Sequence, residues 1–413
     1  MIKTIKPGQR SGAVKVPSSK SQAHRALIVA ALAEDETDII CDGISKDIEA
    51  TVNCLNALGA RINIHGDVIS VFPIRMVPDG VCRLECGESG STLRFMLPLV
   101  GALGTAAEFF PKGRLIERPL APLDGELIRN GMKIEKTGET IVCSGRLSGG
   151  EYTLAGNVSS QYISGLLMAL PAVGEDSTLT VTGEVQSENY IKMTEDVLNI
   201  SGIRYKKSGW SYSIPGSQKP NLPGRYTVEG DFSSASFFLC MGAFSEQGIT
   251  VSGLNPSSNQ GDKQILKILS QFGANIPPCE QGITVSKGSL SGITIDASQM
   301  PDIIPPLCVV AAAAQGETHI VNAGRLRLKE SDRIATTCAL INSLGGDARE
   351  LPEGIVINGT GGLKGGEVDS CNDHRIAMSA ALAASICKED VIISGAECVA
   401  KSYPRFWDED IFL

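Results

Sequence analysis

The sequence predicts an α/β protein of two similar domains, each built from three related units. Three observations carry this prediction. The chain has 413 residues, more than one hydrophobic core usually organises. Short β-rich runs recur and end at Gly43, Gly113, Gly183, Gly253, Gly324 and Gly395, with spacings of 70, 70, 70, 71 and 71 residues. A second series marks helix ends at Gly59, Gly131, Gly202, Gly273 and Gly345, with spacings of 72, 71, 71 and 72 residues, and two series with one period indicate an internal repeat.

Each unit is predicted to run as helix, strand, glycine turn, helix, glycine and two strands. In the third unit, for example, the helical pattern of 191–198 precedes strand patterns at 203–205 and 210–214. The sixth unit lacks return strands, and we expect Ile2–Ile5 to supply one. A break near 224–231 divides the units three and three, which gives one domain at 15–229 and a second made of 1–14 and 230–413. Two strand-like crossings near 13–16 and 226–230 would form the hinge.

Composition excludes several function classes. The formal net charge of -9 argues against nucleic-acid binding, which needs a broad basic surface. No run of residues has the character of a signal peptide or a membrane span, so we expect a cytoplasmic protein. The 12 cysteines include no CxxC pair and there are only 4 histidines, so neither a zinc site nor a disulfide framework is expected.

The starts of the predicted helices carry most of the polar chemistry. Unpaired N–H groups and the helix dipole make such starts favourable for anions. The helices behind them are apolar, so we expect the starts of related units to gather on one face of each domain. Opposed across a hinge, two such faces would form a cleft for small polyanions in an acidic protein, lined by Lys20, Arg25, Arg94, Arg118, Lys329, Arg333, Arg375 and Lys401.

Two acids interrupt this basic pattern, Asp302 and Glu330. Each is either a structural counter-ion or helix cap, or a general acid or base. Asp47, Asp262 and Asp332 are interpreted as caps and ion-pair partners.

Several separated motifs, in order along the whole chain, resemble those of the 5-enolpyruvylshikimate-3-phosphate synthases. They are Pro17-Ser18-Ser19-Lys20-Ser21 with Arg25, Gly90-Ser91-Thr92-Leu93-Arg94, Glu117-Arg118-Pro119, Val158-Ser159-Ser160-Gln161, Glu229-Gly230-Asp231 with Ser233-Ser234-Ala235-Ser236, Lys329-Glu330-Ser331-Asp332-Arg333 and Asn372-Asp373-His374-Arg375. The resemblance implies two domains of three βαβαββ units each, an inside-out α/β barrel, that close over the substrates.

The resemblance also implies a reaction. The enolpyruvyl group of phosphoenolpyruvate moves to the 5-hydroxyl of shikimate 3-phosphate through a tetrahedral intermediate, with release of phosphate and without a metal or organic cofactor. It assigns catalysis to Asp302, Glu330 and Lys20. It assigns shikimate 3-phosphate to Lys20, Ser21, Arg25, Ser159, Ser160, Gln161, Ser187, Tyr190, Asp302, Arg325 and Lys329. It assigns phosphoenolpyruvate to Lys20, Gly90, Arg118, Gln161, Arg333, Arg375 and Lys401. The expected protein is a monomer that binds only small molecules.

The chain departs from the family pattern in two places. Glu88-Ser89-Gly90-Ser91 stands where many members have Asn-Ala-Gly-Thr, and Arg325 stands where many have an Asn that contacts the shikimate phosphate. A guanidinium can still serve a phosphate. Because Gly90 is small, we expect inhibition by glyphosate.

Three alternatives remain at this stage. The sister family that transfers enolpyruvyl to a UDP-amino sugar shares the repeat, but its members carry a reactive loop Cys that 113–118 lacks here. A relative of the RNA-terminal phosphate cyclases is disfavoured by the acidic charge and by the absence of a nucleotide-cyclising His signature. A non-catalytic anion-binding repeat protein is the third alternative.

Overall fold

The structure is a computed structural model that describes residues 1–412. The strands, numbered in chain order, are β1 Ile2–Ile5, β2 Gly12–Lys15, β3 Thr37–Ile40, β4 Arg61–His65, β5 Val68–Phe72, β6 Val81–Gly87, β7 Ala106–Pro111, β8 Met132–Thr137, β9 Thr140–Gly145, β10 Gly150–Ala155, β11 Ser177–Thr182, β12 Lys206–Ser208, β13 Ser211–Ile214, β14 Arg225–Thr227, β15 Ile249–Ser252, β16 Ile283–Val285, β17 Thr294–Asp296, β18 Gln315–Val321, β19 Asp347–Leu351, β20 Gly354–Thr360, β21 Gly366–Asp369 and β22 Val391–Ser394.

Helices alternate with these strands. The α-helices are α1 Lys20–Ala31, α2 Lys46–Ala57, α3 Gly90–Leu103, α4 Leu123–Arg129, α5 Ser160–Ala169, α6 Glu188–Ile200, α7 Phe232–Gly242, α8 Ile265–Phe272, α9 Ile304–Ala313, α10 Arg333–Ser343 and α11 His374–Ala383. Short 3₁₀ helices are Gly113–Glu117, Leu170–Ala172, Gly261–Gln264, Pro301–Ile303, Gly324–Leu328, Ala396–Lys401, Phe406–Asp408 and Asp410–Phe412.

Six small sheets form in the described residues, one for each predicted unit. Their strand orders are β14-β3-β5-β4, β6-β7-β9-β8, β10-β11-β13-β12, β2-β15-β16, β17-β18-β20-β19 and β1-β22-β21. In each four-stranded sheet the first pair is parallel and the other two pairs are antiparallel. This pattern is a parallel βαβ step followed by a hairpin, so the α/β fold class and the βαβαββ unit are confirmed.

Two strands are exchanged between units that are distant in sequence. β2 precedes α1 but pairs in parallel with β15, and β14 precedes α7 but pairs in parallel with β3. The terminal strand β1 pairs antiparallel with β22, with Ile2 opposite Ser394. The predicted use of Ile2–Ile5 to complete the sixth unit is therefore confirmed.

The described chain divides into two compact units. One contains Met1–Ser19 and the chain from Glu229 onward, and the other contains Lys20–Val228. Residues 15–19, expected in the domain at 15–229, instead form backbone hydrogen bonds within the first of these units, from Val16 N to Ser252 O and from Ser19 N to Glu229 O. That the units are separate domains joined by a hinge remains a prediction.

Each unit has its own apolar core, built largely from the first helix of each repeat. All residues of α7 and α11 are buried, and so is every residue of α9 except its last. Burying one Leu or Ile side chain contributes about 1.5–3 kcal/mol, so these helices are held on all sides by packing. In α7 and α11 most of the polar side chains lie near the N-terminal end.

Two units depart from the predicted order at their second helix. After the glycine turn of the second unit the chain forms a 3₁₀ turn at Gly113–Glu117, and α4 begins only at Leu123. After the glycine turn of the sixth unit it forms three 3₁₀ turns, Ala396–Lys401, Phe406–Asp408 and Asp410–Phe412, in place of an α-helix. Proline explains both cases, because the residue before Pro119, Pro122 or Pro404 is disfavoured in the helical region. No helix of the described residues is both long and apolar enough to cross a membrane.

Candidate active site

In the Lys20–Val228 unit, helix α1 presents the first predicted residues. Lys20 begins the helix, and its Nζ lies 2.8 Å from Asp47 Oδ2, with both side chains mostly buried. Ser21 lies in the first turn of this helix, and its carbonyl accepts a 2.6 Å hydrogen bond from Arg25 Nη1. The interpretation of Asp47 as an ion-pair partner is correct, and its partner is a predicted catalytic residue.

Arg25 is a buried cation held by uncharged oxygens. Its Nε donates to Thr194 Oγ1 at 2.7 Å, and its Nη2 donates to Tyr190 O at 2.9 Å and to Ser164 Oγ at 3.2 Å. The Phe95 ring lies 5.2 Å from the guanidinium carbon. Burial lowers the pKa of Arg25 to about 10, against a smaller opposing effect of Tyr190. The guanidinium thus stays charged at neutral pH.

Gln161 links two helix starts in the same unit. Ser159 caps α5 by accepting from Gln161 N, and Ser160 is the buried first residue of the helix. The Gln161 amide donates to Ser91 Oγ at 2.9 Å and accepts from Arg94 Nη1 at 2.5 Å. The side chain of Gln161 therefore connects the N-termini of α3 and α5, and the hydrogen bond from Arg94 orients its amide.

The remaining predicted residues of this unit lie at two other helix entries. Ser187 precedes α6 with a positive φ of 55° and is buried, while Tyr190 lies in the first turn and gives its carbonyl to Arg25. Gly90 is the first residue of α3, and a Cβ placed on it would stand 2.8 Å from Arg118 Nη1. The guanidinium of Arg118 therefore fills the space that a side chain at this position would need.

In the other unit, Arg333 is the centre of a cluster of carboxylates. Its Nη1 donates to Asp302 Oδ1 at 2.8 Å and its Nη2 to Glu330 Oε2 at 2.7 Å. Its Nε and Nη2 also donate to Asp373, at 2.8 and 3.2 Å. Arg333 is 1% exposed and Asp373 is fully buried. One buried guanidinium thus fixes both predicted proton-transfer groups in a single arrangement.

Charges in this cluster set its ionisation states. Burial raises the pKa of Asp302, but Lys329, Arg375 and Arg333 outweigh it and hold that pKa well below its ordinary value. Burial lowers the pKa of Lys329, whose Nζ lies 3.2 Å from Asp302 Oδ1, more than the carboxylate raises it. Asp302 is therefore ionised at neutral pH.

Three further predicted residues belong to this unit. Arg375 follows the Asp373 cap of α11, is 5% exposed, and donates through Nη1 to Ser233 O at 3.2 Å. Lys401, also buried, donates to Asn372 O at 2.6 Å. Arg325 is half-buried in the 3₁₀ turn that leads to Lys329.

Sequence reasoning missed the role of some carboxylates. Asp332 does cap α10 as interpreted, accepting from Ile334 N and Ala335 N. Asp373 caps α11 as well, but its second function is to hold Arg333, and only its position inside a site motif could have signalled this. Asp262 caps nothing and accepts from the Ser233 hydroxyl. No group of three or more His, Cys, Asp or Glu within 1–412 is arranged to hold a metal ion.

Each unit thus brings its own set of predicted residues to helix starts. Comparison with known proteins identifies the family to which the chain belongs. A family model described as EPSP synthase (3-phosphoshikimate 1-carboxyvinyltransferase) matches residues 5–409. The chain belongs to the EPSP synthase family.

Relatives and solved structures agree with this assignment. A Clostridium perfringens protein named 3-phosphoshikimate 1-carboxyvinyltransferase is 42% identical over 410 residues, which cover 98% of this chain and 96% of the relative. A Clostridium acetobutylicum protein of the same name is 42% identical over 412 residues, with 98% and 95% coverage. The solved EPSP synthase of Acinetobacter baumannii matches with a TM-score of 0.80 at 27% identity, covering 98% of this chain and 96% of that one.

The family assignment decides between the alternatives that the sequence left open. An EPSP synthase is an enolpyruvyl transferase of the shikimate pathway, so the resemblance found in the motifs is confirmed. The UDP-sugar transferase and the non-catalytic repeat protein are not favoured.

Proposed function

We propose that the two sets of helix-start residues bind phosphoenolpyruvate and shikimate 3-phosphate and transfer the enolpyruvyl group to the 5-hydroxyl. The observation that carries this proposal is the Arg333 cluster, in which one guanidinium holds Asp302 and Glu330 at 2.8 and 2.7 Å. Enolpyruvyl transfer needs one proton delivered to carbon and one removed from oxygen. Two fixed carboxylates among cations supply groups for both steps.

We assign shikimate 3-phosphate to the residues around Arg25, because of the charge of its guanidinium. A buried guanidinium that is bonded to hydroxyls and carbonyls keeps its full charge, and an anionic ligand would compensate that charge. The other proposed contacts to this substrate are Lys20, Ser21, Ser159, Ser160, Gln161, Ser187, Tyr190, Asp302, Arg325 and Lys329. Hydroxyl and amide side chains suit the polyol, and the cations suit the phosphate.

We assign phosphoenolpyruvate to Gly90 and Arg118, supported by the closeness of the guanidinium to the start of α3. Backbone without a side chain at Gly90 leaves the guanidinium accessible, and Arg binds carboxylate and phosphate in a two-pronged arrangement. The other proposed contacts are Lys20, Gln161, Arg333, Arg375 and Lys401. Because Gly90 is small, glyphosate is expected to inhibit.

Proton transfer is assigned to the two carboxylates. Glu330, in its protonated form, donates a proton to the methylene carbon of phosphoenolpyruvate, which makes the adjacent carbon electrophilic. Asp302, held ionised by its cations, accepts the proton of the 5-hydroxyl as its oxygen attacks that carbon. Return of one methyl proton to Glu330, as the carbon–oxygen bond to phosphate breaks, regenerates the enol ether, and the proton held by Asp302 leaves with the released phosphate. The charge of Lys20 would stabilise the phosphate as it leaves.

Coupled phosphate release tests the assignment. Phosphoenolpyruvate is supplied alone, with shikimate 3-phosphate, or with UDP-N-acetylglucosamine. We expect release only with shikimate 3-phosphate. Release with the UDP sugar, or calorimetric binding of shikimate 3-phosphate without turnover, would overturn the proposal.

A cytoplasmic location and a monomeric state remain predictions. Sedimentation equilibrium of the purified chain tests the second directly, because a monomer should give a mass near 43.5 kDa.

A further inference from the structure

Asp262 is a buried carboxyl beside the proposed site that the assigned mechanism does not use. It lies in the 3₁₀ turn Gly261–Gln264 and is 2% exposed. Its Oδ2 accepts a short hydrogen bond from Ser233 Oγ. Its Oδ1 is buried and has no hydrogen-bond partner among the described residues. A buried, half-satisfied carboxyl is costly, so its retention needs an explanation.

The surroundings of Asp262 connect it to Arg375. This segment binds the start of α7 through two hydrogen bonds. Gln260 Oε1 accepts from Phe232 N at 3.0 Å, and Asp262 Oδ2 accepts from the hydroxyl of the next residue, Ser233. The carbonyl of Ser233 in turn accepts from Arg375 Nη1 at 3.2 Å. The Nε of Arg375 is buried without a partner in the described chain.

Three charged groups on other elements act on Asp262. Asp302 comes from the 3₁₀ turn before α9, Arg375 from the first turn of α11, and Asp231 from the cap of α7. Arg375 is the cation of this set, so it is the natural counter-charge of Asp262.

We propose that Asp262 is a positioning residue for Arg375, and that its proton occupancy sets how much positive charge Arg375 offers to phosphoenolpyruvate. An ionised Asp262 attracts the guanidinium and opposes an anionic substrate beside it. A protonated Asp262 leaves the full charge of Arg375 to the substrate. This inference rests on the proposed assignment of Arg375 to phosphoenolpyruvate.

Burial and the charges around Asp262 bring its pKa close to neutral pH. Burial, and then the neighbouring Asp302, raise the pKa of Asp262 to about 7, while Arg375 and the Ser233 hydroxyl oppose the rise. Asp262 therefore changes most of its charge within about one pH unit on either side of that pKa. Binding of phosphoenolpyruvate and protonation of Asp262 should favour each other, and this coupling is reciprocal.

Asp262→Asn tests the inference, because it keeps the shape and removes the charge. The KM for phosphoenolpyruvate is measured at saturating shikimate 3-phosphate from pH 6 to pH 8.5. Ionisation of the substrate affects both proteins equally, so the ratio of wild-type to variant KM isolates Asp262. We expect this ratio to rise about threefold across the range, as a coupling of roughly half a pKa unit gives. A ratio that stays constant with pH would overturn the inference.

Ser233→Ala gives a second test that does not depend on the Asn variant folding. The Ser233 hydroxyl lowers the pKa of Asp262, so its removal should move the rise in phosphoenolpyruvate KM to higher pH. A profile unmoved from wild type would contradict the role of Asp262. Asp296→Asn is the matched control, since this exposed carboxylate bonds Ser298 N and Asn322 Nδ2 and should leave the profile unchanged.

Arg375→Gln separates this inference from the assignment on which it rests. An unchanged phosphoenolpyruvate KM in that variant would remove Arg375 from the proposed site. A raised KM in Arg375→Gln, combined with a constant wild-type to Asp262→Asn ratio, would reject the Asp262 inference alone.

Discussion

Each unit of the molecule buries two arginines near its helix starts, and the more deeply buried one of each unit, Arg25 in one and Arg333 in the other, is held in an opposite way. Arg25 is 2% exposed and gives its donors to the oxygens of Thr194, Ser164, Tyr190 and Ser21. Arg333 is 1% exposed and gives its donors to the carboxylates of Asp302, Glu330 and Asp373. Burial lowers the pKa of Arg25 to about 10, whereas for Arg333 the carboxylates outweigh burial and raise the pKa above its ordinary value.

The difference teaches what each cluster is suited to do. Neutral dipoles around Arg25 leave a positive charge for an anionic ligand, so changes there should act on substrate binding. The carboxylates around Arg333 neutralise its charge, and Arg333 in turn orients them. Substitutions in this cluster should therefore affect turnover and stability. Four substitutions test this contrast.

The largest effect is expected at Glu330, the proposed proton donor. Glu330→Gln keeps the size and the contact to Arg333 but removes the transferable proton, so kcat should fall about 10²- to 10⁴-fold. The dissociation constant of shikimate 3-phosphate, measured by calorimetry, should change less than about twofold, because proton transfer matters in the transition state and not in binding. Exposed Glu317→Gln serves as control. Unchanged turnover would remove Glu330 from catalysis, and the Arg333 cluster would then not be the part of the site that acts on turnover.

The second effect concerns stability and its dependence on pH. Asp373→Asn retains the cap of α11 but leaves Arg333 short of a buried counter-charge, which should lower the free energy of unfolding by about 3–5 kcal/mol in urea titrations at pH 7. Arg333 outweighs burial and lowers the pKa of Asp373. The lost stability is therefore present above the unfolded pKa of about 3.9 and disappears as pH falls through the folded pKa, so variant and wild type should converge in acid.

Asp332→Asn is the matched control for that measurement. Asp332 also caps a helix and also contacts an arginine, Arg327, but both side chains are about one-third exposed. Its loss should cost less than about 1 kcal/mol. Equal losses at Asp332 and Asp373 would show that burial is not what distinguishes the Arg333 cluster.

The third effect tests the neutral surroundings of Arg25. Thr194→Val removes the hydroxyl that accepts from Arg25 Nε while keeping the shape of the side chain. A hydrogen bond to a charged group contributes about 1.5–3 kcal/mol, so the urea midpoint should fall correspondingly. We also expect the KM for shikimate 3-phosphate to rise, with kcat within about twofold of wild type, since binding and not chemistry is affected. A fall in kcat alone would contradict the assignment of Arg25 to binding.

Much of the fold could be predicted because glycine marks positions that the backbone imposes. Gly59 has a φ of 103°, and an added Cβ would come within 2.4 Å of Met76 O, so no other residue fits this turn. Glycines at corresponding positions recur in the other units, and their regular spacing indicates the repeat. The exchange of β2 and β14 could not be predicted, because the sequence of a strand specifies its pairing faces but not which edge it joins.

Part of the candidate site could likewise be predicted from the sequence, and part could not. Lys20, Arg118 and Glu330 lie in motifs whose chemistry is visible in the sequence, and those motifs led to the family that the comparisons show. The second function of Asp373 and the burial of Asp262 were not visible, because an acid near a helix start is typical of a cap. Only tertiary contacts with Arg333 and Ser233 distinguish these acids from Asp332, which is a cap.

The smallest effect is expected at Gly90, where binding of one substrate can be changed separately. Gly90→Ala places a Cβ 2.8 Å from Arg118 Nη1, and the end of that side chain can move aside without disturbing α3. The melting temperature should therefore stay within about 2 °C of wild type, while the displaced guanidinium raises the KM for phosphoenolpyruvate about tenfold. Gly125→Ala in α4 is the control, because its Cβ would meet nothing within 4 Å. If phosphoenolpyruvate KM were unchanged, Arg118 would not be a contact of this substrate. If shikimate 3-phosphate KM rose as much, the helix start itself would have shifted, and the separation of the two binding sets within this unit would be wrong.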